Sequence, residues 1–309
     1  MERTEKEAIL LIALLAAFAD GAKDDRERAE IRRIAEALSG EVNVAALYQD
    51  ALLGRRSVAE AAAALPTPAL RQYAYEMAVG VCEADGAHTP AEKAFLDDLR
   101  GKLGLDSAAG EAFVAQAAGV AGAPLDAASA AEPPFAATMT GAEMDAMIHN
   151  DALLNGALEL LPQNLATLAI IPLQMKMVYR IGKAHGFELD RGHVKDFLGT
   201  VGVGLTSQYL EQFGRRLFGG LLGSIAGGLG RTVGSAATGV GFSYASTWAL
   251  GQVAKRYYAG GRTLSAGMLQ DAFASMLGEA KGLQSRFLPE IEQRARTLDV
   301  AEVLRSVRA

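Results

Sequence analysis

Residues 19–27 read ADGAKDDRE and residues 84–92 read ADGAHTPAE. Each stretch ends an apolar helical run, turns on an Asp-Gly pair and opens the next helix with a capping residue. In both, the second carboxylate follows the first aspartate by seven positions: Asp20 to Glu27, Asp85 to Glu92. Thr89-Pro90-Ala91-Glu92 is a capping box with proline at the first helical position, a strong helix-start signal. Gly21 and Gly86 suit the left-handed residue that ends a helix. Helix, acidic turn, helix, written twice 65 residues apart, predicts an all-α front half made of two related helical halves.

Working outward, Ala8–Asp20 is an apolar helix leading into the first turn. It is flanked by Glu2, Arg3, Glu5, Lys6 and Glu7 and has no cleavage pattern, so it reads as a helix of the folded domain and not a leader. A helix from Asp24 carries Ile31, Ile34 and Leu38 at 3/4 spacing. Val44–Leu53, Val58–Leu65 and Ala69–Ala84 follow, with Pro66 and Pro68 as punctuation. Residues 119–140, with Gly122, Pro124, Pro133 and Pro134, read as a linker. Thr140-Gly141-Ala142-Glu143 is a further capping box. Beyond it lie the apolar segments Leu153–Leu161 and Leu165–Ala184, a mixed helix His193–Phe213, a glycine-rich stretch 217–251, and charged helices Ser265–Lys281 and Phe287–Leu298. The expected domains are thus 1–118, a linker 119–140, and 141–309.

Composition agrees with helices. Half the 309 residues are hydrophobic, only 6% are aromatic, and alanine and leucine dominate. A single cysteine, Cys82, excludes an internal disulfide and reads as a small buried residue. Residues 1–118 carry 20 acidic and 13 basic side chains, whereas 170–262 carry 4 acidic and 11 basic. The two halves therefore suit different partners.

Local structure explains part of the acidic turns. Asp24, Glu27, Thr89 and Glu92 are accounted for by capping and by the helix dipole. Asp20 and Asp85 are not, because an aspartate in a last helical turn opposes that dipole. A hard divalent cation held by carboxylates from both sides of a tight turn is one reason for them. A purely structural turn is the other.

On these residues the chain resembles the TerB-like family, over about 6–106. The resemblance implies a helical bundle with acidic residues gathered on one face to hold a divalent metal. Carried over, the ligands would be Asp20, Asp24, Glu27, Asp85 and Glu92, with Ca²⁺, Mg²⁺ and Zn²⁺ not distinguished. Thr89 stands where the first copy has Asp24, which breaks a symmetric two-site picture.

In the back half, Gly219, Gly223 and Gly227, continued by Gly230 and Gly234, put a smooth groove on one helix face. Such grooves allow close helix packing inside membranes, and repeated helical glycines in water cost about 1 kcal/mol each. Residues 217–230 are too short to span a bilayer, while 232–251 are long enough and uncharged. The expectation is a glycine-rich helical hairpin, either associated with an anionic inner membrane through Arg215, Arg216, Lys255, Arg256 and Arg262, or packed in water as a dimer interface. Ile171–Met177, Ala184–Leu189 and Gly239–Ala254 with Arg256-Tyr257-Tyr258 resemble the YcjF-type family, with His185 at its aromatic position. That resemblance covers about 150–275 and implies a bacterial protein of the cytoplasmic side of the inner membrane, sometimes found with GTPase modules.

Enzyme chemistry finds little footing. His88, His149, His185 and His193 lack HExxH or Cys–His spacing, no serine sits in a nucleophile elbow, and no Walker A sequence is present. Basic clusters lack interleaved aromatics, against nucleic-acid binding. The expectation is a non-enzymatic two-domain protein that binds a divalent cation or docks a protein partner in an envelope or metal-stress role. The alternative is a soluble helical scaffold, or the effector of a separate GTPase.

Overall fold

The structure, a computed structural model, describes residues 1–21, 28, 29, 31, 32, 35, 42–84, 89–125, 139–161, 164–218 and 242–308. Among the described residues every regular element is a helix, so the fold is all-α. In chain order they are α1 (Arg3–Ala17), α2 (Val44–Leu52), α3 (Val58–Ala63), α4 (Pro68–Cys82), α5 (Pro90–Leu103), α6 (Ser107–Ala121), α7 (Gly141–Glu159), α8 (Asn164–Leu168), α9 (Ile170–Ala184), α10 (Arg191–Val201), α11 (Leu205–Phe218), α12 (Phe242–Ala259), α13 (Ala266–Thr297) and α14 (Val300–Arg308).

These helices form two units that interleave along the chain. Of the described residues, one contains those within 1–122 and 204–218, the other those within 123–203 and 242–308. The single division expected near 119–140 does not describe this arrangement. The mixed helix expected over 193–213 is broken where Gly202 takes φ +88° as the left-handed C-cap of α10. The chain then crosses, and α11 packs on α1 and α4 of the first unit.

In the first unit α1 is the hub. Ala8 through Leu14, Ala16 and Ala17 are all buried, and α2, α3, α4, α5 and α11 all pack on it. A helix apolar on nearly every side is stable only when surrounded. It starts earlier than its apolar run because Glu2 and Glu5 form a capping box ahead of it. The Thr89–Glu92 and Thr140–Glu143 boxes form as their spacing predicts, since each closes within four residues. The helix expected across 24–38 lies largely outside the described residues. So do the glycines Gly219, Gly223, Gly227, Gly230 and Gly234.

The second unit is built on an antiparallel pair, α7 and α12. Asp145 meets Lys255 at 2.6 Å and Asn155 meets Thr247 at 3.0 Å. Between them, Ile148 packs so closely that a Cβ on Gly251 would lie 2.6 Å from Ile148 Cγ2. Helices α9 and α13 cover the pair. The two charged helices expected over 265–298 are one helix, α13, with Pro289 inside it.

Candidate functional site

The acidic turns are approached through the helices that carry them. Phe18 closes α1, and Gly21, at φ +65°, hydrogen-bonds back to the Phe18 carbonyl at 3.1 Å. Asp20 is half-buried in that turn. In the second copy, α4 ends with buried Cys82 and then Glu83, which is 3% exposed. Cys82 Sγ lies 4.0 Å from the Ala16 carbonyl oxygen. The last turns of α1 and α4 are therefore neighbours.

Nearby packing anchors the first turn. Phe18 meets the ring of Tyr48 edge-on at 5.7 Å, the Tyr48 hydroxyl donates to the Arg28 carbonyl at 3.2 Å, and Arg32 stands over the same ring. A single α2 tyrosine thus ties the end of α1 to the chain beyond the turn.

Of the five carboxylates expected as ligands, Asp20 and Glu92 are described; Asp24, Glu27 and Asp85 lie outside the described residues. Glu92 is 4% exposed, and its Oε2 accepts from both the backbone N–H and the hydroxyl of Thr89 at 2.9 Å. That oxygen serves the helix start. Among the described residues, no group of three His, Cys, Asp or Glu side chains is placed to hold a metal.

Sequence reasoning missed a buried polar layer in the second unit. Thr247 Oγ1 accepts from Asn155 Nδ2 at 3.0 Å and from Gln174 Nε2 at 2.9 Å, joining α7, α9 and α12. Ser246 Oγ lies 3.5 Å from the same glutamine nitrogen. One turn away, Glu159 Oε2 accepts the Ser243 backbone N–H at 2.8 Å. That amide belongs to the first turn of α12, where donors lack helical acceptors and the dipole favours an anion. All six residues are at most 2% exposed. The available signal was polar residues, Asn155, Gln174 and Thr247, on helices otherwise apolar.

His149 and His193, among the described residues, fall into structural roles. His149, half-buried, packs against Phe287 at 4.5 Å and lies 3.3 Å from the Tyr244 hydroxyl, so it joins α7 to α12 and α13. His193 closes a capping box with Asp190. Burial first, and then the Lys255 charge, push the pKa of His185 down, and its Nε2 is buried with no hydrogen-bond partner among the described residues. Cys82 is a buried thiol outside any disulfide, as expected.

Residues 1–117 match the family described as "Protein of unknown function (DUF533)", a TerB-like family. The match ends within α6 and covers the helices that lead into both acidic turns. No curated protein and no solved structure matches the chain.

Proposed function

We propose that the first unit is a non-catalytic module that binds a hard divalent cation at the end where its two acidic turns emerge. The observation that carries this reading is the 4.0 Å approach of Cys82 Sγ to the Ala16 carbonyl. It brings the helix ends preceding Asp20 and Asp85 together. The TerB-like match over 1–117 supports the same assignment.

The residues present fit such an ion in part. Asp20 offers a carboxylate in the turn that follows α1, and its counterpart Asp85 follows three positions after Cys82. Glu92 has one oxygen committed to the α5 cap, so it belongs at the edge of a ligand set. Asp24 and Glu27 would complete it. A donor set of carboxylates suits Ca²⁺ or Mg²⁺ better than Zn²⁺, which favours nitrogen and sulfur. A bound cation would offset repulsion among these acids and stiffen both turns, presenting a defined surface to a protein partner.

Membrane association, in an envelope or metal-stress role, remains the second part of the proposal. It rests on the glycine-rich sequence 217–251 and its basic flanks, and on the YcjF-type resemblance of the back half. Among the described residues no helix is long and apolar enough to cross a membrane.

Calorimetric titration of the whole chain with Ca²⁺, Mg²⁺ and Zn²⁺ tests the cation. Binding of Ca²⁺ or Mg²⁺, lost in Asp20→Asn/Asp85→Asn, is the expected result. No heat with any ion, or unchanged binding in the double variant, refutes it.

A further inference from the structure

Far from the polar layer in its own unit, α10, α12 and the start of α13 enclose a cleft of about 80 Å³. Its composition is unusual for this chain. Aromatic residues make up only 6% of the sequence, yet Phe197 lies 5.1 Å from the Tyr257 ring and 5.8 Å from the Tyr258 ring. Phe187 lies 5.5 Å from Tyr258 behind them. Phe197, Tyr257 and Tyr258 line the cleft, with Leu269 completing the apolar wall.

The polar side is made by Arg262, His193, Thr200 and Asp196. Arg262 is held there at some cost. Among the described residues it alone, of those that are not glycine, has a positive φ, at 64°. Such a conformation disfavours an L side chain and occurs where surrounding structure over-determines it. The determinants are visible: the Arg262 N–H donates to the Tyr257 carbonyl at 2.9 Å, closing the end of α12, and the guanidinium stands 5.8 Å from the Phe187 ring centroid. Gly261 precedes it, also left-handed, so the chain doubles back and returns an arginine to the aromatic wall.

We propose that this cleft binds a compact carboxylate with a short apolar stem, its carboxyl on Arg262 and its stem against Phe197 and Tyr257. The size suits a compact ligand better than a nucleotide or a whole lipid, since pockets for drug-sized ligands run to about 300–1,000 Å³. The planar guanidinium fork matches a planar carboxylate. Asp196 on the same rim repels any anion, and a doubly charged phosphate more strongly than a singly charged carboxylate. The ring faces need an apolar stem to cover them. Nothing in this assignment depends on a cation in the first unit.

The test is a titration of the full chain followed by amide chemical shifts, with sodium butyrate as probe and butanol, butylamine and sodium phosphate as controls. Butyrate is expected to shift amides within 193–200 and 257–262 with a Kd on the order of 1–10 mM, the range open to a six-atom ligand. Arg262→Gln, which keeps the stem and the backbone demand, is expected to weaken binding at least ~10-fold. Arg262→Lys should fall between them, and Arg256→Gln, whose cation does not line the cleft, should bind as the parent does. An N-acetylated dipeptide with a free terminal carboxylate distinguishes the source. Binding tighter than butyrate assigns the cleft to a polypeptide C-terminus, and weaker binding assigns it to a free short acid; both support the proposal. Equal binding of butanol or of phosphate overturns it, as does unchanged affinity in Arg262→Gln or the absence of shifts with butyrate.

Discussion

Replacing Thr247 by valine isolates the worth of the polar layer. Valine keeps the branched shape, so no cavity opens, but the one acceptor shared by two amides disappears. Asn155 Nδ2, 3.0 Å from Thr247 Oγ1, loses its partner in a site that is 0% exposed. Gln174 Nε2 falls back on Ser246 Oγ, at the longer 3.5 Å. An orphaned buried donor costs about 1–3 kcal/mol. One complete and one partial loss, less the small gain from a more apolar side chain, gives about 2–4 kcal/mol. Thr247→Ser makes the opposite change: both hydrogen bonds remain and one buried methyl is lost, for about 1 kcal/mol. The expected order of stability is therefore parent, serine, valine, although valine is the closer match in shape. Trp248 is the only tryptophan, and it packs against the Ala152, Leu153, Tyr244 and Ile291 cluster, so its fluorescence reports on this unit during urea unfolding. With a slope of about 2 kcal/mol/M, valine should lower the midpoint by about 1–2 M and serine by about 0.5 M. Valine at least as stable as serine would refute the account of the layer as mutually dependent hydrogen bonds.

Gly251→Ala should destabilise the same unit by about 1–2 kcal/mol. The new Cβ would stand 2.6 Å and 2.8 Å from Ile148 Cγ2 and Cγ1, stiff atoms of a fully buried side chain, and this overpacking outweighs the ~1 kcal/mol gain in helix propensity. Ile148→Ala should relieve much of that penalty in the double variant, measured as non-additive denaturant midpoints. His185 sets a pH dependence. Its folded-state pKa lies below the ordinary histidine value of 6.5, through burial and then Lys255, so the unfolded chain takes up the proton first as pH falls. Stability is thus fully present above pH 6.5 and is lost as pH falls below it. Thermal melts between pH 8 and 5 should show this loss in the parent and a flatter profile in His185→Gln. Asp145, held below the usual carboxylate range because Lys255 and Gln252 hydrogen bonds outweigh burial, loses its contribution only at lower pH. A parallel decline in both proteins would remove His185 from the explanation.

The cluster behind the carboxylate cleft illustrates how sequence and structure divide the information. Phe187, Phe197, Tyr257 and Arg262 each look ordinary where they stand. Gly186 and Gly261 announce turns, and α12 ends where its glycines say it should. What those turns bring together is invisible, because the partners are tens of residues apart. The same holds for Asn155 and Thr247, separated by 92 positions. Polar residues on apolar helices mark that something must satisfy them, without saying which helix does.

Whatever is settled within one or two helical turns was decided by sequence alone. Thr89 with Glu92, Thr140 with Glu143, and the unbroken apolar run of α1 determine their helices because caps and dipoles act over a few ångströms along the chain. The all-α fold and the helices leading to the two acidic turns follow from them. Tertiary structure decided the rest. It sent α11 back to the first unit after the left-handed turn at Gly202, and it seated Cys82 beside Ala16, so that the ends of α1 and α4 are neighbours. It also closed the polar layer with Thr247. Each of these depends on which helix face meets which, and that is fixed by burial and close packing summed over the whole unit.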